Sequence, residues 1–301
     1  MPNSVGKHLP VMLEEAIDGL KVEEGKWYVD ATFGRGGHTR EILNRGGNVI
    51  AFDHDEEAIM NATQFFAKEI AQHRLELVHE NFAKLKDQAA VTTKNISGIL
   101  FDFGVSSPQL DDSSRGFSFQ QDAPLDMRMD NRLGVRAADL VNALGKKELF
   151  YLLTTYAQET RAHVIVDAIL RARSKKPIET TTELAEIIEN AIGRRTQTHL
   201  HPATKTFLAL RMVVNDELGS IESALPTAFD TLSQLGRLVT ISFNESEDRI
   251  VKHAMVDWEA KGKGKQLTKK PLQPTEKEVA MNARSRSAKL RIFEKETERE
   301  E

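Results

Sequence analysis

The 301-residue sequence predicts an α/β protein, a doubly wound parallel sheet interrupted by an all-helical insertion. Three observations predict it. Apolar runs at 27–31, 48–52, 75–79 and 96–103 alternate with helical periodicity, as in successive βα units; residues 137–217 read as helical with no convincing strand; and strand character returns at 237–243.

The first strand runs into Thr32-Phe33-Gly34-Arg35-Gly36-Gly37-His38 and then a helix. Three glycines in four positions let the backbone turn tightly and approach a ligand, and the free amides of the helix start point at whatever is bound. The second strand ends in Asp53-His54-Asp55, where an acid is placed to accept hydrogen bonds from two ribose hydroxyls. A dinucleotide fingerprint, Gly-x-Gly-x-x-Gly counted from Gly34, fails at Thr39. A compact Gly-x-Gly-Gly loop with no pyrophosphate to hold suits S-adenosylmethionine (SAM). On this reading a valine at Gly36 would fill the space of the methionine portion of SAM and leave the protein folded.

The fourth strand ends in Asp102 and leads into Ser106-Ser107-Pro108-Gln109, a segment expected beyond the carboxyl edge of the sheet, where ligands of such sheets bind. Amino-group methyltransferases place a polar-Pro-Pro-aromatic motif here, whose acceptors hold the amine N–H groups and stabilise the charge that develops on nitrogen. Ser107-Pro108-Gln109 is a degenerate version, and Phe117 or Phe119 could supply the missing aromatic face.

Further along, the pattern predicts helices over 138–142, 148–172, 182–192 and 204–217, a helix over 248–258, a loop over 261–265 and closing strands over 266–272 and 288–293. The net charge is −4, yet residues 261–295 hold eleven Lys or Arg against three Glu, a local basic run that suits a phosphate-bearing partner or a solvated tail. The absence of cysteine excludes disulfides and thiolate metal sites, and no metal site is read from the remaining residues. With no secretory pattern and no run of 18 apolar residues, the protein is expected to be cytoplasmic and off the membrane.

Together these segments resemble the MraW/RsmH family, bacterial 16S rRNA (cytosine-N4) methyltransferases. The resemblance rests on His8-Leu9-Pro10-Val11-Met12-Leu13-Glu14-Glu15, the Thr32 to His38 loop, Gly104 to Asp112 with Arg115-Gly116-Phe117-Ser118-Phe119, and Pro124 to Met129. It continues through His201 to Phe207, Val214 to Leu218, Glu247 to Lys252 and Arg284 to Arg291. It implies a Rossmann-like class I SAM-dependent methyltransferase sheet with an inserted all-helical domain. The SAM-binding domain would comprise 1–112 and 210–301, and 113–209 would be the RNA substrate domain.

The resemblance places SAM contacts on Gly36, Gly37, His38, Asp53, Phe82, Asp102 and Gln109, and catalytic positions on Ser107 and Pro108. Asn244 stands where the family usually has His; an amide donates and accepts but shuttles no proton near neutral pH. Arg171, Arg173, Lys175, Lys176, Arg194 and Arg195 give the insertion capacity to read RNA phosphates. The implied activity is methyl transfer to N4 of a cytidine near the decoding centre, with 16S rRNA or the small subunit as partner and the oligomeric state open, a dimer included. The alternatives are a non-catalytic rRNA-binding assembly factor that retains the SAM fold, and an amino-methyltransferase acting on DNA or protein.

Overall fold

In the computed structural model, which describes residues 10–105, 109, 112–193 and 201–296, the chain divides into two units. One comprises residues 1–104 and 218–301, the other 105–217. These boundaries replace the expected 112/113 and 209/210, because helix 204–214 buries Phe207, Ala209, Leu210 and Val214 in the core of the second unit and the chain turns only at Asp216, φ 47°.

The first unit is built on a seven-stranded sheet. Its strands are β1 (Trp27–Asp30), β2 (Asn48–Asp53), β3 (Leu75–His79), β4 (Ile96–Asp102), β5 (Leu232–Ser242), β6 (Gly264–Gln266) and β7 (Lys289–Lys295), in the order β3-β2-β1-β4-β5-β7-β6. The first five are parallel, whereas β7 runs antiparallel to both β5 and β6. Alternate strand residues serve opposite faces. Val29, Ile50, Phe52, Ile99 and Phe101 pack with Leu225, Phe229 and Trp258, while Tyr28, Val49, Ala51, Leu100 and Val239 pack with Ile17, Leu20 and Ile42. Burial on both faces explains why these strands read as continuous apolar runs.

The helices of this unit are α1 (Leu13–Leu20), α2 (Gly37–Asn44), α3 (Glu56–Phe65), α4 (Ala67–Ala71) and α5 (Ala89–Thr92) before the insertion. The second unit contributes α6 (Ala137–Ala143), α7 (Lys146–Ala157), α8 (Ala162–Arg173), α9 (Thr181–Ile192) and α10 (Thr204–Val214). Then come α11 (Glu217–Thr231), α12 (Glu245–Ala260) and α13 (Glu276–Met281). The second unit has its own core, centred on Leu149, Leu153, Ile165, Ile169, Leu184, Ile188 and Leu210. No described helix is long and apolar enough to cross a membrane.

Several boundaries differ from the sequence reading. The helix expected over 148–172 is two helices, because Gln158 adopts a left-handed conformation, φ 50°, that ends α7. The one expected over 204–217 ends at Val214, and α11 was not read at all. β5 begins five residues earlier than its apolar signal, since Leu235 is exposed at φ 61° and breaks the alternation. Gly264 and Lys265, expected in a loop, pair with β7, while beyond Gln266 the anticipated strand reduces to a single bridge at Leu272, after Pro271.

Candidate functional site

The carboxyl edge of the parallel strands gathers the predicted residues of the first unit. After β1, Gly34 and Gly36 take φ values of 55° and 71°, which non-glycine residues rarely adopt. Asp53, at the end of β2, ties this turn down: its Oδ2 accepts from Gly34 N at 2.8 Å and its Oδ1 from Asp55 N at 2.9 Å. Each carboxylate oxygen keeps a further lone pair, which is what two ribose hydroxyls require. Burial pushes Asp53 up to about 7, against the two backbone donors that favour its ionised form.

Thr32 joins β1 to β4. Its amide donates to Asp30 Oδ1 at 3.2 Å, and its Oγ1 accepts from Asp102 N at 2.6 Å. Asp30 is itself buried, with Thr39 Oγ1 donating to its Oδ2 at 2.7 Å. Asp102 retains 23% of its side-chain exposure, but its Oδ1 is buried and has no hydrogen-bond partner among the described residues. Burial, followed by the nearby charges of Asp30 and Glu247, raises Asp102 well above the usual carboxylate range. A partly exposed carboxylate in an acidic cluster is a fitting seat for the cationic amino end of SAM.

His38, at the start of α2, is buried; its Nε2 donates to Val11 O at 3.2 Å and its Nδ1 lies 3.9 Å from Asp102 Oδ2. Burial lowers its proton affinity and raises that of Asp30. Phe82 follows β3 and stands half-buried beside Phe101 and Phe103, at ring separations of 5.4 and 6.1 Å. It can offer an edge to an adenine while anchored in the core.

Gly36 and Gly37 are tighter than the loop pattern implied. A Cβ on Gly36 would lie 2.5 Å from the Phe33 ring and 2.8 Å from Phe66, and one on Gly37 would lie 2.2 Å from Pro10 Cγ. The protein itself occupies that space, so the expectation that valine at Gly36 leaves the fold intact is corrected.

Asn244 has a structural role that the sequence reading did not include. It caps α12, its Oδ1 accepting from Ser246 N and Glu247 N at 3.0 Å each, while Glu247 Oε2 accepts from Phe243 N at 2.8 Å. Its Oδ1 thus serves a helix start, a structural role beside the one the resemblance implies.

Ser107, Pro108, Arg194 and Arg195 lie outside the described residues. Gln109 is buried and belongs to the second unit. Of the cations predicted for RNA, Arg173 donates to Val141 O at 2.6 Å and Lys176 pairs with Glu183 at 2.7 Å, whereas Arg171 and Lys175 are exposed near the end of α8. Sequence reasoning missed Asp30, Thr39 and Glu247. An acid at the end of the first strand, four residues before Gly34, was the available signal for Asp30.

An acid at the end of β2, a glycine turn after β1 and a partly exposed acid at the end of β4, all on a Rossmann-like sheet, are the arrangement of a class I SAM-dependent methyltransferase. A family model described as the MraW methylase family matches residues 5–296, and the chain belongs to that family. Curated relatives named ribosomal RNA small subunit methyltransferase H are similar over nearly their whole length. The protein of Paenibacillus sp. (strain JDR-2) is 42% identical over 96% of this chain and 99% of its own. That of Caulobacter vibrioides (strain NA1000 / CB15N) is 40% identical over 96% and 95%, and that of Acidobacterium capsulatum 43% over 96% and 98%.

Proposed function

We propose that this protein methylates the exocyclic N4 of a cytidine in small-subunit (16S) rRNA, near the decoding centre. The near full-length similarity to relatives named as small-subunit rRNA methyltransferases carries the choice of RNA. The acidic carboxyl edge supports the choice of pocket. SAM supplies an electrophilic methyl group on a sulfonium. Asp53 holds the ribose, Phe82 borders the adenine, and the exposed part of the Asp102 carboxylate accepts from the amino group; Gly36, Gly37 and His38 shape the wall of the methionine end, and Gln109 fixes the loop after β4.

The amine lone pair of cytosine is delocalised into the ring, so acceptors on its N–H groups assist attack, and Ser107 and Pro108 are assigned that role. As the N–C bond forms and the C–S bond breaks, the nitrogen sheds a proton that becomes acidic only in the course of transfer. With Asn244 capping α12, solvent or a loop carbonyl takes it. The target base leaves any stack to reach the methyl group. The helical unit serves as the RNA clamp, with Arg171 and Lys175 as phosphate contacts.

Purified protein given methyl-labelled SAM and isolated small ribosomal subunits is expected to place label in the rRNA. Label confined to ribosomal protein, or no transfer to subunits at all, would reject this substrate.

A further inference from the structure

We propose that Glu278 is a positioning residue for the cofactor site, acting through the Pro10 to Met12 segment and His38. Glu278 lies on α13, far along the chain from the glycine turn, yet its Oε1 accepts from the backbone amide of Met12 at 2.7 Å. Met12 is 1% exposed and holds φ 50°, ψ 43°, a left-handed conformation that costs an unbranched side chain free energy and persists only where neighbours enforce it.

The flanking residues face the site directly. Val11 O receives the His38 Nε2 proton at 3.2 Å, and Pro10 packs so closely on Gly37 that no Cβ fits between them. His38 in turn presents Nδ1 toward Asp102, at 3.9 Å. The Glu278 carboxylate therefore fixes a strained residue whose neighbours set the position of the glycine turn and the tautomer of the imidazole beside the acceptor for the cofactor amino group. Thr275 caps α13 by accepting from Glu278 N at 3.2 Å, which steadies the residue at its own end.

If the carboxylate is removed, Met12 loses the contact that holds it left-handed. Relaxation toward ordinary extended backbone rotates the peptide, withdraws Val11 O from His38 and frees the imidazole. Affinity for SAM should fall, while the rate at saturating SAM stays near its normal value, since Glu278 touches no reacting atom.

The inference rests on the reading of this pocket as the SAM site, so its test includes a control for that reading. SAM binding is measured by calorimetry on the full chain, with thermal unfolding of each cofactor-free variant and steady-state KM and kcat. Glu278→Ala is expected to weaken SAM binding and raise its KM about tenfold, the scale of one lost charge-assisted hydrogen bond, with kcat changed less than about twofold. Glu278→Gln keeps an acceptor and should restore binding to within about threefold. Should the alanine variant fail to fold, Glu278→Asp, which draws the carboxylate back by one methylene, should show the same rise in KM at smaller size. Normal SAM affinity in both the alanine and aspartate variants overturns the proposal, as does a lowered melting temperature with binding intact. If these variants bind normally while Asp53→Ala does not, only the role of Glu278 falls; if Asp53→Ala also binds normally, the pocket assignment falls with it.

Discussion

Gly36→Val is expected to destabilise the whole first unit by about 3 kcal/mol or more, adding the penalty for a β-branched residue at positive φ to that of overpacking a filled site. Gly36 stands at φ 71°, and the rings of Phe33 and Phe66 already fill the position of its Cβ. Neither ring has room to yield, because Phe33 is 4% and Phe66 3% exposed and the two meet edge to face at 5.6 Å. Urea unfolding should show the midpoint collapse together with SAM binding. A variant that unfolds like the parent protein but no longer binds SAM would restore the simpler view, in which the glycine only clears space for the ligand.

The second large effect concerns Asp53. Asp53→Ala should weaken SAM binding by about 1 to 3 kcal/mol, since ribose hydroxyls lose a charged acceptor and the Gly34 amide loses its tether. The wild-type protein should also bind SAM more weakly in mild acid. With Asp53 at about 7 before the cofactor binds, affinity should drop about tenfold from pH 8 to pH 6 as the carboxylate takes up its proton. Stability runs the opposite way. An acid whose folded value is raised above its unfolded one contributes stability that is complete below the unfolded value, about 4, and is lost as pH rises through about 7. The cofactor-free protein should therefore be less stable at pH 8 than at pH 5 on account of this group, and bound SAM should offset the loss. Calorimetry and thermal unfolding across that range check both slopes. Flat affinity from pH 6 to 8 would place the ribose elsewhere.

Much of this site was legible in the sequence because its parts are local. An apolar strand, a glycine turn and an acid one strand later announce themselves within 27 residues, from Trp27 to Asp53. The cap at Asn244 was equally local. Asn followed three residues later by Glu247 is a helix-start signature. Other features depend on tertiary contacts that no window reveals. The tightness at Gly36 comes partly from Phe66, thirty residues away, which packs beside the nearer Phe33 ring, and the contact between Glu278 and Met12 spans 266 residues. The start of β5 was hidden for a different reason, since Leu235 spends an apolar side chain on solvent at an irregularity. The break at Gln158 carries neither Gly nor Pro, so nothing in its composition separates α7 from α8.

Mass spectrometry of nucleosides from 16S rRNA of cells with and without this protein tests the central claim most directly. The structure and its relatives lead us to expect that the N4-methylated cytidine loses its N4 methyl group when the protein is absent and regains it when the gene is restored, but not when the Asp53→Ala form is supplied at limiting SAM. An N4-methylcytidine signal unchanged by removal of the protein would contradict the account.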